Sequence, residues 1–339
     1  MKQYQAAVIG LGRIGMLYDR EEQRPHPSTH VYAYLENERT ALACAVDTHR
    51  DRGEILRRIS PGTRFYASYD EAIRSGALDD VDIISICTPP SEHFGLIRSI
   101  VERGFSGVIF CEKPLVSDAE ETRMLGRLMA DHPLPLLIPN ISRRWNRKLK
   151  EVGNALTSGE YGSLERIDVR YTRGIYNTGA HLFDLLKMWT GERIRQVSVI
   201  GETDTSALPE KSYSFTFELQ GGIPGVAQAF DDRRCYLFEI DLYCSAGKIE
   251  MRNSGDDVYY YGIQPHHLFE DFREFCLKRH EKGVLNDNCM RNAIRNICAC
   301  LDGKESPACI IGDAIYPMYV ASALEQSDET GRIRMVKDE

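Results

Sequence analysis

The sequence predicts an α/β protein of two domains: an N-terminal doubly wound parallel sheet, then an α/β domain with a large, mostly antiparallel open sheet. Three observations carry this. The chain has 339 residues, more than the ~100–200 of one domain. Residues 1–140 alternate short, β-branched apolar runs with amphipathic stretches, as a parallel sheet covered on both faces requires. From residue 141 the pattern becomes a train of alternating apolar and polar segments, which suits an antiparallel sheet with one face covered.

In the first domain, strands are expected at 6–10, 41–47, 83–88, 107–111 and 136–139. Helices are expected at 30–36, 50–59, 69–75, 91–103 and 117–130, with Ser117 and Glu120 as a capping box. Beyond residue 140, a basic cluster from Arg143 to Lys148 opens a helix that runs to about residue 157. Strand-like segments follow at 163–172, 197–201, 212–219, 226–230, 236–245, 248–251 and 258–261, with a helix at 180–189. Helical patterns at 266–279 and 289–301 precede a last segment, 312–331, expected to pack back on the first domain. The domains are thus read as 1–140 and 141–339, sharing an interface where a ligand cleft would lie.

Composition narrows the function classes. Apolar residues make up 42%, charged residues 27%, and the net charge is −8. These values exclude a disordered or coiled-coil chain and leave no basic footprint for nucleic acid or an anionic membrane. No apolar run approaches the ~18–20 residues of a membrane span. The N-terminal apolar stretch leads into glycines, Arg13 and Asp19 rather than a cleavage site, so a cytoplasmic protein is expected. Ten cysteines show no Cys-x-x-Cys and no histidine at zinc spacing, so reduced, mostly buried thiols and no metal are expected.

Five motifs carry chemistry. Gly10-Leu11-Gly12-Arg13-Ile14-Gly15 follows the first strand, where glycines serve a tight turn, approach to a pyrophosphate, and helix–strand packing. Asp47 ends the second strand, where a carboxylate can accept from a ribose 2′-hydroxyl; this favours NAD(H), although His49 and Arg50 could partly reverse the preference. Cys87-Thr88-Pro89-Pro90-Ser91-Glu92-His93 forms a rigid turn bordering the cofactor crevice, with Ser91 as helix cap. His93 is read either as a cofactor contact or as an ordinary residue of that helix. Glu112-Lys113-Pro114 ends the next strand, so that Lys113 can polarise or protonate a reacting oxygen. Finally, Asn177-Thr178-Gly179-Ala180-His181-Leu182-Phe183-Asp184 places His181 and Asp184 on one helix face, three residues apart, beside a stripe of Leu182, Leu185, Leu186 and Trp189.

Together and in this order, the motifs resemble the glucose–fructose oxidoreductase/inositol dehydrogenase/rhizopine-catabolism family (Gfo/Idh/MocA). The resemblance spans nearly the whole chain and is most specific at 111–114 and 179–184. It implies a Rossmann domain, hydride transfer between NAD(P) and a carbohydrate-like substrate, no metal, and a homodimer or homotetramer formed through the C-terminal sheet. By position it implies Lys113 and His181 as the catalytic pair and Asn140, Arg144, Asn177 and Asp184 as substrate-side residues. Gly10, Gly12, Arg13, Ile14, Gly15, Asp47, Thr88, Pro89, His93, Glu112 and Lys113 fall on the cofactor side. One departure matters: many members have aspartate where this chain has Asn177. Without that charge, and with a helix N-terminus nearby, His181 is expected to stay neutral.

The resulting expectation is an NAD(H)-dependent dehydrogenase, with NADP(H) also open, acting on a sugar, polyol or nucleotide-linked sugar. Two rivals remain: a non-catalytic NAD-binding sensor, and a sugar–sugar oxidoreductase with tightly held cofactor.

Overall fold

The computed structural model describes residues 2–132, 135–205 and 210–337. The chain divides into two compact units, Met1–Trp145 with Asn288–Ile315, and Asn146–Asp287 with Tyr316–Glu339. The boundary thus falls at Trp145/Asn146 rather than after Asn140. The segment grouped with the N-terminal unit is Asn288–Ile315, earlier in the chain than the 312–331 read from sequence.

In the first unit, the strands are β1 (Tyr4–Ile9), β2 (Thr40–Val46), β3 (Arg64–Tyr66), β4 (Ile83–Ile86), β5 (Val108–Glu112) and β6 (Leu136–Asn140). They form a parallel sheet in the order β3-β2-β1-β4-β5-β6. The sequence predicts all of these except β3, whose three partly exposed residues are too short to show a pattern. Strand order reverses between β1 and β4, so the crevice for a ligand opens at their carboxyl ends. Helices α1 (His30–Glu36), α2 (Arg50–Ile59), α3 (Tyr69–Arg74), α4 (Pro90–Glu102) and α5 (Ala119–Asp131) fall close to their expected positions.

Two expected caps move. Asp118 caps α5, its Oδ1 accepting the Glu121 N–H at 2.8 Å, while Glu121 Oε2 accepts the Ser117 N–H at 2.8 Å. The reciprocal pair therefore lies one residue later than Ser117 and Glu120. Ser91 caps nothing, because α4 already begins at Pro90, with Pro89 at the N-cap position.

A single helical turn follows the glycine motif, with the Met16 N–H on the Gly12 carbonyl at 2.9 Å. Residues 17–29 then loop out. Helix α1 resumes on the same turn, with the N–H groups of His30 and Val31 on the carbonyls of Ile14 (3.2 Å) and Gly15 (3.0 Å). The buried Asp19 organises the insertion. It accepts the Ser28 N–H (2.7 Å) and the Thr29 hydroxyl (2.5 Å), and His26 Nδ1 lies 2.7 Å away. Helix α8 (Cys289–Leu301) completes the unit and delivers Asp302 to Arg39 (2.7 and 2.8 Å) and to the Tyr4 hydroxyl (2.6 Å).

The second unit contains helices α6 (Arg147–Thr157) and α7 (Gly179–Thr190) and most of α9 (Ile311–Thr330). Its strands are β7 (Leu164–Tyr171), β8 (Ile194–Thr203), β9 (Ser212–Leu219), β10 (Pro224–Ala229), β11 (Phe238–Cys244), β12 (Gly247–Arg252), β13 (Asp257–Pro265), β14 (Arg273–Lys282) and β15 (Arg334–Met335). Among the described residues they form one sheet in the order β14-β13-β12-β11-β7-β10-β9-β8-β15, antiparallel except for β7 with β10. Alternate residues Tyr213, Phe215, Phe217 and Leu219 are buried. Helices α6 and α7 are tied by the Trp189 indole N–H on the Leu149 carbonyl at 2.8 Å.

The helix expected at 266–279 is overturned. Leu268, Phe269 and Phe272 have helical spacing, but residues 273–282 instead pair along β13 and leave those apolar side chains exposed. All ten cysteines are free and six are buried. No helix among the described residues is long and apolar enough to cross a membrane.

The Arg39 and Tyr4 contacts hold the Asp302 carboxyl well below the usual range. A carboxyl whose pKa falls on folding contributes fully above its ordinary value of ~3.9 and loses that contribution as pH drops through the folded value. Asp302→Asn should therefore lower Tm at pH 7, with the gap to the parent narrowing below about pH 4. A gap constant across that range would refute the ion pair's role.

Candidate active site

Two of the motif's glycines are required by packing and one is not. Gly10 has φ +96°, and a Cβ there would lie 2.7 Å from the Cys87 carbonyl. A Cβ on Gly15 would meet the Gly10 oxygen at 2.0 Å. Over Gly12 the space is open: the nearest atom to an added Cβ is Arg52 NH1, at 4.0 Å. Open backbone at the first turn of a helix is the cradle that a pyrophosphate needs, so these residues fit a dinucleotide. Arg13 is exposed beside Ile14, its guanidinium 5.6 Å from the centre of the Tyr18 ring.

At the end of β2, Asp47 is 6% exposed and accepts N–H groups from Leu11 (2.7 Å), His49 (2.8 Å) and Arg52 (2.7 Å). Burial alone would raise its pKa, but these donors outweigh burial and lower it. The sequence reading weighed His49 and Arg50 here; the residue that reaches Asp47 from α2 is Arg52. A basic residue five positions past a strand-end acid was a visible signal.

At the end of β5, Glu112 Oε1 accepts from Asn140 Nδ2 at 2.6 Å and from His30 Nε2 at 2.8 Å. His30 Nδ1 lies 2.9 Å from the Ser85 hydroxyl, which lies 2.7 Å from the Tyr34 hydroxyl. One set of directions satisfies every member: Tyr34 donates to Ser85, Ser85 to His30, and His30, protonated on Nε2, to Glu112. His30, Ser85 and Tyr34 are fully buried. Asn140, expected on the substrate side, donates one amide hydrogen to Glu112. Lys113, the next residue, is partly exposed.

His93 is also corrected. Its ring is fully buried, with Nδ1 2.8 Å from the Pro114 carbonyl and Nε2 2.9 Å from the Thr88 carbonyl. Both nitrogens face carbonyl oxygens, and the neutral ring donates to one of the two, so the buried ring packs between the Thr88–Pro89 and Lys113–Pro114 turns. Arg144, expected in the cleft, pairs with Asp313 at 2.9 Å and is 11% exposed. Burial pushes the Cys87 and Cys111 thiols well above their ordinary range, so neither is an activated nucleophile.

In the second unit, His181 is partly exposed, Asp184 is fully buried, and Leu182, Leu185, Leu186 and Trp189 line the buried stripe as expected. The expected helix N-terminus beside His181 lies farther back. Arg173 and Gly174 have left-handed backbone (φ +66° and +76°), a π-helical turn follows, and the Gly179 N–H bonds the Gly174 carbonyl across it. The N–H groups of Tyr176 and Asn177 both donate to Glu210 Oε1, at 2.5 and 2.6 Å. A carboxylate thus caps this end despite the asparagine at 177. Its 33-residue separation from Asn177 hid Glu210 from sequence reasoning.

Among the described residues, the group able to gather around a metal is His266, His267 and Glu274, at the β13–β14 turn. His266 Nδ1 already accepts the Leu268 N–H at 3.1 Å, which leaves its Nε2 protonated and unsuited to ligation.

A parallel sheet in this strand order, with an open glycine cradle at the end of β1, defines a dinucleotide-binding Rossmann domain. Residues 4–138 match the model of the oxidoreductase family with an NAD-binding Rossmann fold, Gfo/Idh/MocA. Inositol 2-dehydrogenase of Corynebacterium glutamicum is 25% identical over 210 residues, covering 58% of this chain and 57% of that protein. The match thus spans little more than half of that relative's length. Two solved structures share the fold. Lactobacillus casei scyllo-inositol dehydrogenase, with NAD(H) and scyllo-inositol, is 15% identical with a TM-score of 0.74 and covers 99% of each chain. The Chromobacterium violaceum WlbA dehydrogenase, with NADH and UDP-GlcNAcA, is 16% identical with a TM-score of 0.77 and covers 100% of this chain and 97% of that one.

The open space over Gly12 separates ligand roles from packing roles. Gly12→Ala should keep Tm within a few degrees yet weaken NADH binding at least ~10-fold, as steric loss of a phosphate contact implies. Gly15→Ala should lower Tm sharply. Equal effects of both changes on Tm would contradict the assignment.

Proposed function

We propose that this protein is an NAD(H)-dependent oxidoreductase that interconverts a hydroxyl and a keto group on a sugar, polyol or nucleotide-linked sugar. The observation that carries the reading is the glycine cradle at the carboxyl end of β1, open only above Gly12. The substrate class rests on the inositol and UDP-sugar dehydrogenases to which the chain is similar.

Bound nicotinamide supplies the hydride acceptor or donor. The chain's own residues handle the proton and the alignment. His181 takes the hydroxyl proton as the carbonyl forms, and Lys113 donates a hydrogen bond to the same oxygen, stabilising its developing charge. Glu112, locked by His30 and Asn140, fixes the backbone that presents Lys113. Asn177, at the entry to the helix that carries His181, contacts a substrate hydroxyl, while Asp184, expected on the substrate side, is fully buried and supports that helix from within.

We also assign a homo-oligomer built on the nine-stranded sheet, supported by Leu268, Phe272 and Phe269 at the β13–β14 turn, which are 71%, 65% and 57% exposed. A cytoplasmic location fits this reading.

Lys113→Ala and His181→Ala should each lower kcat at least ~10²-fold, the scale of general acid–base catalysis, with NADH affinity unchanged. Because both act on one oxygen, the double variant should lose less than the product of the single losses. Turnover surviving both changes would favour the sensor reading.

A further inference from the structure

We infer that Arg52, assisted by His49, forms a phosphate-reading pair that lets this chain bind NADP(H) as well as NAD(H), with Arg52 the specificity-determining residue. The inference rests on the dinucleotide reading above and deepens it.

A strand-end carboxylate selects NAD(H) by accepting from the ribose hydroxyls and repelling a 2′-phosphate. Asp47 is poorly placed to do either. A carboxylate offers about four lone-pair directions, and here the chain's own donors occupy three of them, with His49 Nδ1 beside the fourth. Oδ2 takes the Leu11 N–H and Arg52 NH1, both at 2.7 Å. Oδ1 takes the His49 N–H at 2.8 Å and has His49 Nδ1 at 3.2 Å. The negative charge that would repel a phosphate is paired at its source with a guanidinium.

The donors left over are basic and face outward. Arginine carries five N–H donors, and NH1 of Arg52 is the nitrogen bound to Asp47. The Arg52 side chain is 25% exposed and the His49 side chain 62% exposed. Position supplies the second half of the argument. Arg52 NH1 is the atom nearest to a Cβ built on Gly12, at 4.0 Å. The guanidinium therefore borders the same open space that identifies Gly12 as the ligand-facing glycine. A planar, permanently charged fork beside a dinucleotide cradle matches phosphate geometry in a way that a lone carboxylate does not. NAD(H) remains usable because Arg52 can swing off Asp47 and return the Oδ2 direction it holds to a ribose hydroxyl.

The test is equilibrium binding, read from nicotinamide fluorescence, of NADH and NADPH to the full chain and to Arg52→Ala, Arg52→Lys and Asp47→Asn. The wild type should bind the two cofactors with Kd values within ~10-fold of each other. Arg52→Ala should weaken NADPH at least ~10-fold, the lower range for a charged hydrogen bond, and leave NADH within ~3-fold. Arg52→Lys should restore part of the NADPH affinity, showing that charge rather than fold was lost. Asp47→Asn should not weaken NADPH. Wild-type NADPH binding more than ~100-fold weaker than NADH would overturn the inference, as would equal loss of both cofactors in Arg52→Ala. Binding of neither cofactor by the wild type would sink the dinucleotide reading and this inference together.

Discussion

A carboxylate withdrawn from water is tolerable only when donors replace its hydration, and Glu112 is the point where that requirement shapes the first domain. It sits at the carboxyl end of β5, one residue before Lys113. Its donors come from α1 and β6, and one of them, His30, must itself be satisfied by Ser85 on β4 and through it by Tyr34. Protons can run only one way along this chain, so losing one member leaves its neighbours buried and unsatisfied. The requirement also explains the path of the insertion. Residues 17–29 loop out, yet α1 returns to the carbonyls of Ile14 and Gly15, which delivers His30 to Glu112. Serine, histidine and glutamate in this order resemble a hydrolytic relay, but Ser85 is fully buried in the middle of the sheet. A nucleophile that no substrate can reach is structural.

What the sequence made legible were features whose cause is local. The parallel strands are continuous apolar runs, and the glycine spacing is dictated by contacts within a few residues. Helices α1, capped by Thr29, and α2 fall at their expected bounds because their apolar faces lie within one segment. The failures have the opposite character. Asn140 and His93 looked like crevice residues because they neighbour crevice motifs. Their actual partners, Glu112 and the Pro114 carbonyl, lie 28 and 21 residues away. Glu210 reaches the start of the His181 helix across 33 residues. The expected helix at 266–279 failed because a free strand edge on β13 offered backbone partners that helical spacing of apolar residues cannot reveal.

Asp47 shows why residue identity at a strand end is weaker evidence than the donors around it. Glu112 and Asp47 are both carboxylates at the carboxyl ends of parallel strands, and both are largely removed from water. The donors of Glu112 are mostly buried side chains fixed by the core, so its position is permanent and its effect is to hold Lys113. Among the groups around Asp47, the Arg52 side chain, on the first turn of α2, and the His49 ring, on the loop before it, reach solvent. A donor held at the surface is less constrained than one fixed in the core, so on the proposed reading Arg52 is the partner that yields to a ribose hydroxyl. The two carboxylates thus divide the work of the crevice. One is locked from the interior by His30 and Asn140; the other is satisfied partly by a side chain that reaches the surface.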